Sequence, residues 1–377
     1  MVFHFASERP PASSIIHLIV FNGAGLGWTG VDLFFVLSGF LITGILLDSK
    51  GSPGYLRVFF IRRSLRILPL YYLSVLASFS ILPLLVSRFL NWRWPQVAPA
   101  EQLWYWFYIA NWRTAFHPLV YPIATHLWSL AIEEQFYLFW PFVVLQCSRL
   151  RLLQISLAGI LFAFLLRNLP WAQALGAAYP NSLYRLTPFR IDSLLFGACA
   201  ALVIRDSHLM NQVSRWIKPA FLTGVAALGM VLADARSTSP HSAPMTRFGF
   251  TALGLTFVSA VLYSHLHAGD LSGIPHFLRS RLLRHFGRYS YAMYLFHIPV
   301  ATFLPRLPAT IWGGLLTGLV AVVTGVAITD GLARLSWFAI ESPFLQLKDR
   351  FTPDRYANGR AHGQDIPVEQ FSRAAGI

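Results

Sequence analysis

Nine apolar runs, at about 31–47, 67–87, 126–146, 152–166, 189–204, 219–233, 248–266, 289–304 and 311–333, divide the sequence. Each is close to the roughly 17–25 residues that cross a bilayer as a helix. Hydrocarbon offers backbone amides no hydrogen-bond partner, so such runs must pair their own N–H and C=O groups. The chain is therefore expected to be all-α, a polytopic transmembrane helix bundle of nine full spans. Only 12% of its 377 residues are charged, against about 25% in a soluble domain. A net charge of +14 invites a nucleic-acid partner. The basic residues instead alternate with apolar stretches and form no continuous tract that could follow a phosphate backbone.

Their placement sets an orientation. Nineteen of the 30 Lys and Arg fall in the connections 48–66, 147–152, 205–218 and 268–288 and in the tail after 342, and ten fall in the other connections. The positive-inside rule then makes the first group and the C-terminus cytoplasmic. Residues 1–345 read as one transmembrane domain and 346–377 as a polar, disordered cytoplasmic tail. Nine spans ending in the cytoplasm require the run at 31–47 to start outside. Met1-Val2-Phe3-His4-Phe5 reads as the last turn of a further, truncated helix before the polar loop Ser7-Glu8-Arg9-Pro10-Pro11. The cationic leader of a signal peptide is absent. Cys147 and Cys199 lie at neither a metal-ligand nor a disulfide-framework spacing, and the loop at 88–125, with Trp92, Trp94, Trp104, Trp106 and Trp112, reads as an interfacial aromatic belt.

Polar groups inside spans are costly and mark sites by default. Arg62, Arg63 and Arg66 sit where one apolar run hands over to the next. Guanidinium groups there must find phosphate, carboxylate or carbonyls, and Arg63 and Arg66, three apart, share a helical face. Asp32 opens a helix and fits either a site or a cap favoured by the macrodipole, and Ser38-Gly39 admits a close backbone neighbour. Glu133 and Glu134 point about 100° apart, so only one can face a given cavity. Trp128 and Ser129 precede Glu133 by about one turn. Arg190 and Asp192, two apart, cannot face each other and should pair with other helices as a clamp. Ser290, Tyr294 and His297 recur at four and three residues as one hydrogen-bonding stripe, lining a cavity or joining helices. Glu341 reads as a countercharge to the arginines.

The strings Gly30–Ile42, Arg62–Pro69, Trp128–Tyr137, Arg190–Gly197 and Gly287–Pro299, in that order, resemble the bacterial inner-membrane acyltransferase family 3. That family O-acylates sugars of lipopolysaccharide, exopolysaccharide, peptidoglycan and small glycosides. The resemblance covers about 1–345 and implies a ten-helix core, which nine spans and a truncated first helix would supply. It implies acyl-coenzyme A as donor, held by the Arg-x-x-Arg pair Arg63 and Arg66 beside Arg62, with His4 as general base and Glu133 supporting it. No permanently bound cofactor is implied; the partners would be the bilayer, acyl-coenzyme A and a sugar or glycan acceptor. The family's first-helix Arg, eleven residues before the His, would fall upstream of Met1. Direct transfer and transfer relayed across the membrane both stay open, as do the acceptor, the acyl length and the oligomeric state. A polysaccharide or lipid-linked sugar transporter or flippase is the alternative, since intramembrane Arg, Glu and His can also line a substrate path. A non-catalytic membrane scaffold is a third reading.

Overall fold

The computed structural model describes residues 23, 25–89, 97–117, 122–270, 272–304 and 314–347. The proposed first helix, His4 and the tail from Lys348 lie outside the described residues. Nine long helices stand among those described: α1 Gly30–Ser49, α2 Tyr55–Leu76, α3 Leu127–Gln146, α4 Arg149–Asn168, α5 Thr187–Ile204, α6 Ser207–Ala235, α7 Phe250–Leu266, α8 Arg281–Phe303 and α9 Gly314–Ser336. Seven helical stretches among the described residues, containing α1, α2, α4, α5, α6, α7 and α9 from Gly318 onward, are long and apolar enough to cross a membrane. The other two, α3 and α8, carry much of the polar inventory singled out above.

Helices continue beyond the apolar runs that announce them. α2 starts at Tyr55, twelve residues before the apolar run at 67–87, and proceeds through a π-helical turn at Ala77–Ile81 into Leu82–Phe89. Arg62, Arg63 and Arg66 are thus on a helix and not in a connection. α6 likewise starts at Ser207, where Asp206 caps it by accepting from Leu209 N–H. Charged residues end an apolar run without ending the backbone ladder, because long side chains reach polar surroundings from inside a helix. The stretch at 97–117 is no simple belt: it holds helices Pro99–Trp106 and Ala110–Phe116. Trp106 stacks on Tyr72 of α2 at 5.6 Å and 18°, and Trp112 remains exposed. Trp92 and Trp94 lie outside the described residues.

α1 and α5 form the centre. A Cβ added at Gly39 would fall 1.9 Å from Leu194 O, and one at Gly197 would fall 2.0 Å from Val36 O, so the two backbones touch where only glycine fits. α3, α4 and α7 pack around this pair, α6 lies on α7, and α8 pairs with α9. One apolar core gathers Phe35, Ile42, Trp128, Ile132, Leu194 and Phe250; a second gathers Leu70, Tyr71, Leu130, Ala292, Met293 and Trp337. Phe34 and Tyr291 pack against both. α4 turns Leu157, Leu161, Phe162 and Leu165 outward, the apolar exposure a lipid-facing helix requires.

Candidate active site

α3 positions the site. His126 at its N-cap, then Ser129, Glu133 and Tyr137, recur at three, four and four residues and so share one face. At one level Ser38 Oγ of α1 lies 2.5 Å from Glu133 Oε1 and 2.6 Å from the Tyr137 hydroxyl, and Tyr137 donates to the same Glu133 oxygen. Ser38, Glu133 and Tyr137 are all buried. The Arg63 guanidinium lies over the Tyr137 ring, 5.3 Å from its centroid, and its Nη2 is buried without a hydrogen-bond partner among the described residues. Arg63 is eight residues from the start of α2 and Tyr137 nine from the end of α3. At 1.5 Å per residue these are about 12 Å and about 13.5 Å of helix. Arg66 is within electrostatic reach of Arg63, Tyr137, Tyr291 and Glu341, and Glu341 accepts from Ser336 Oγ at 3.0 Å. Arg62 is half-buried beside them. Glu134 is also within electrostatic reach of Arg63, and its Oε1 is buried without a hydrogen-bond partner among the described residues.

Two turns along α3 a second group forms against α8. Carbonyl oxygens only accept, so His126 donates from Nε2 to Leu295 O at 3.1 Å and His297 from Nδ1 to Tyr294 O at 2.6 Å. The two imidazole centroids are 5.2 Å apart. Tyr294 OH contacts Ser129 Oγ at 2.5 Å and His126 O at 2.7 Å. Tyr294 and His297 thus join α8 to α3. Ser290, on the same face but a turn away, is exposed and returns its hydroxyl to Gly287 O. Trp128 is buried in the first core, edge-on to Phe35 and against Tyr184 at 4.7 Å.

Asp32, Arg190 and Asp192 belong to a clamp beside this column. Arg190 pairs with Asp32 at 2.5 Å and Arg167 with Asp192 at 2.7 Å, and all four side chains are fully buried. Ser193 Oγ also donates to Asp32, and Arg190 lies 3.8 Å from the Phe250 ring centroid. Asp32 is not a cap: Thr29 occupies that position without a side-chain bond. The pairs tie α1 to α5 and α5 to α4. Sequence reading missed Arg167, His126 and Tyr137. The even spacing of His126, Ser129, Glu133 and Tyr137 was the available signal for two of them; Arg167 at the end of an apolar run gave none.

The family described as "Acyltransferase domain" matches residues 1–334. The chain belongs to that family. It is 31% identical over 352 residues to the putative peptidoglycan O-acetyltransferase YrhL of Bacillus subtilis, covering 88% of this chain and 52% of the relative. It is 31% identical over 346 residues to the peptidoglycan O-acetyltransferase OatA of Listeria monocytogenes, covering 87% and 53%. A putative O-acetyltransferase of Staphylococcus aureus is 26% identical over 333 residues, covering 84% and 52%. The chain thus spans about half the length of these curated relatives. No solved structure gives a significant match.

Proposed function

We propose that this domain is an integral membrane O-acyltransferase that moves an acetyl group from acetyl-coenzyme A to a hydroxyl of a cell-wall glycan of the peptidoglycan type. Family membership and the names of the relatives support the reaction and the acceptor class. The observation that carries the reading is the contact of Arg63 with the buried Ser38–Glu133–Tyr137 group, a guanidinium brought beside a buried carboxylate in a helix bundle. Arginine suits the phosphates of coenzyme A through charge-assisted, bidentate bonds, and the excess of basic residues in alternate connections supports a cytoplasmic start of α2 and a cytoplasmic C-terminus, on the side where that donor is made.

In this reading Arg63 and Arg66 draw the donor into the bundle. The family resemblance gives His4 the proton of the sugar hydroxyl, a task for which an imidazole with a pKa near roughly 6.5 is suited. Glu133 would stabilise the imidazolium as it forms. The test uses purified protein in lipid nanodiscs with acetyl-coenzyme A and peptidoglycan fragments, following free thiol and ester together. His4→Ala and Glu133→Gln should each lower transfer by about 10²- to 10⁴-fold. Wild-type protein that releases no coenzyme A yet moves lipid-linked sugar across vesicles would replace this reading with a transporter.

A further inference from the structure

We propose that Ser38 carries the acyl group as a covalent ester between the two substrates, so that transfer across the membrane is relayed and not direct. This deepens the reading above and rests on it. Four observations converge on this one hydroxyl. Ser38 Oγ is 2.5 Å from Glu133 Oε1, the geometry of a nucleophile with its base. It is 2.6 Å from the Tyr137 hydroxyl, which donates to the same carboxylate and orients it. Arg63, stacked over Tyr137, keeps Nη2 without a hydrogen-bond partner among the described residues, a donor free for a carbonyl oxygen that gains negative charge. Finally, Ser38 is held by rigid backbone: the next residue, Gly39, abuts Leu194 O so closely that no side chain fits between α1 and α5.

Sidedness makes a relay useful. A cytoplasmic thioester and an extracytoplasmic sugar that meet one buried hydroxyl in turn need not occupy the bundle together. In the first step the Ser38 Oγ–carbonyl bond forms and the carbon–sulfur bond breaks; the Oγ proton passes to Glu133 and from there to the leaving sulfur, releasing coenzyme A as free thiol. In the second, a sugar hydroxyl forms the new ester bond, the bond to Ser38 Oγ breaks, and the sugar's proton, taken up by the general base of the reading above, passes back to Ser38 Oγ. The sum is thioester plus alcohol giving ester plus thiol, with no other reactant.

The experiment incubates the protein in nanodiscs with radiolabelled acetyl-coenzyme A and no acceptor, then quenches, digests and maps the label. Wild type should carry label on the Ser38 peptide, lose it when peptidoglycan fragments are added, and give parallel double-reciprocal plots. S38A should take up none, and S38C, which keeps a side chain of similar size, should hold its label as a thioester cleaved by neutral hydroxylamine. Glu133→Gln should slow labelling by about 10²- to 10⁴-fold. Wild-type turnover without label on Ser38, or S38A protein that transfers at the wild-type rate, overturns the relay and leaves the acyltransferase reading standing. Wild type that releases no coenzyme A with or without acceptor overturns both.

Discussion

Replacing Gly39 with alanine should force apart the two central helices. The new Cβ would lie 1.9 Å from Leu194 O, while ordinary contact begins at 3.4 Å, so α1 and α5 must part by roughly 1.5 Å. A gap of about 0.5–1 Å already forfeits a quarter to a half of each dispersion contact along a seam. The Asp32–Arg190 contact spans the same two helices and would stretch from 2.5 Å to about 4 Å, beyond hydrogen-bonding range. Overpacking of about 1–3 kcal/mol and a lost charge-assisted bond of about 1.5–3 kcal/mol predict a destabilisation of about 2.5–6 kcal/mol. Unfolding in nanodiscs, followed by circular dichroism, measures it. Gly229→Ala is the control, because its Cβ would meet nothing within 4 Å; it should be neutral or stabilising by up to about 1 kcal/mol. Gly197→Ala presses the same helices apart, with its Cβ 2.0 Å from Val36 O, so the double variant should cost less than the sum of the singles by about 1–2 kcal/mol. Unchanged stability in G39A, or strict additivity, would refute the close crossing.

The clamp and one extramembrane histidine give further tests. Asp32→Leu leaves the Arg190 charge buried without its counterion and should destabilise by about 3–5 kcal/mol, while Asp32→Leu with Arg190→Met should recover most of that loss; the same unfolding assay reads both. His241, in the loop before α7 and bonded to Pro180 O, is held below the ordinary imidazole range by burial, with the Arg185 charge adding to it. The unfolded chain then binds this proton more readily, so stability conferred by the neutral ring is present above about pH 6.5 and declines as pH falls below it. His241→Gln should flatten the loss of thermal stability between about pH 7 and 5; an unaltered slope would remove His241 as a contributor.

The helical architecture was legible because hydrocarbon leaves a chain so few options: eight of the nine apolar runs lie mainly on one long helix, and the run at 67–87 is shared by α2, its π-helical turn and Leu82–Phe89, although only seven helical stretches among the described residues are long and apolar enough to span. Helix starts were not, since Arg62, Arg63 and Arg66 ended an apolar run without ending α2. Arg190 and Asp192 could be assigned partners on other helices from their spacing of two, but which helices could not be read, because Asp32 and Arg167 lie 158 and 25 residues away along the chain. The pairing of Ser38 with Glu133, 95 residues apart, was equally invisible. What one dimension did carry was the face shared by Tyr294 and His297; it could not tell that Ser290, in register with them, stays exposed.

Arg63 and Arg66, three residues apart, read as a single grip, yet their neighbours differ in kind. Both are within electrostatic reach of Glu133 and Tyr137, but Arg63 stands over the Tyr137 ring beside the proposed acyl carrier, whereas Arg66 is also within reach of Tyr291 and of Glu341 on the π-helical turn Trp337–Glu341, a departure from α-helical pairing of the sort found at functional sites. A charge next to the reacting carbonyl acts mainly on the transition state, and one bound to a distant phosphate acts on ground state and transition state alike. Arg63→Gln should therefore lower kcat with donor at saturation, and Arg66→Gln should raise KM for acetyl-coenzyme A with kcat retained. Each loss should be about 10- to 150-fold, the equivalent of one charged hydrogen bond of about 1.5–3 kcal/mol. Lysine should restore neither in full, because a point charge cannot reproduce a planar fork of donors. Coenzyme A release measured across a donor titration separates the two parameters, and variants that shift the same parameter by the same factor would return the pair to a single undivided role.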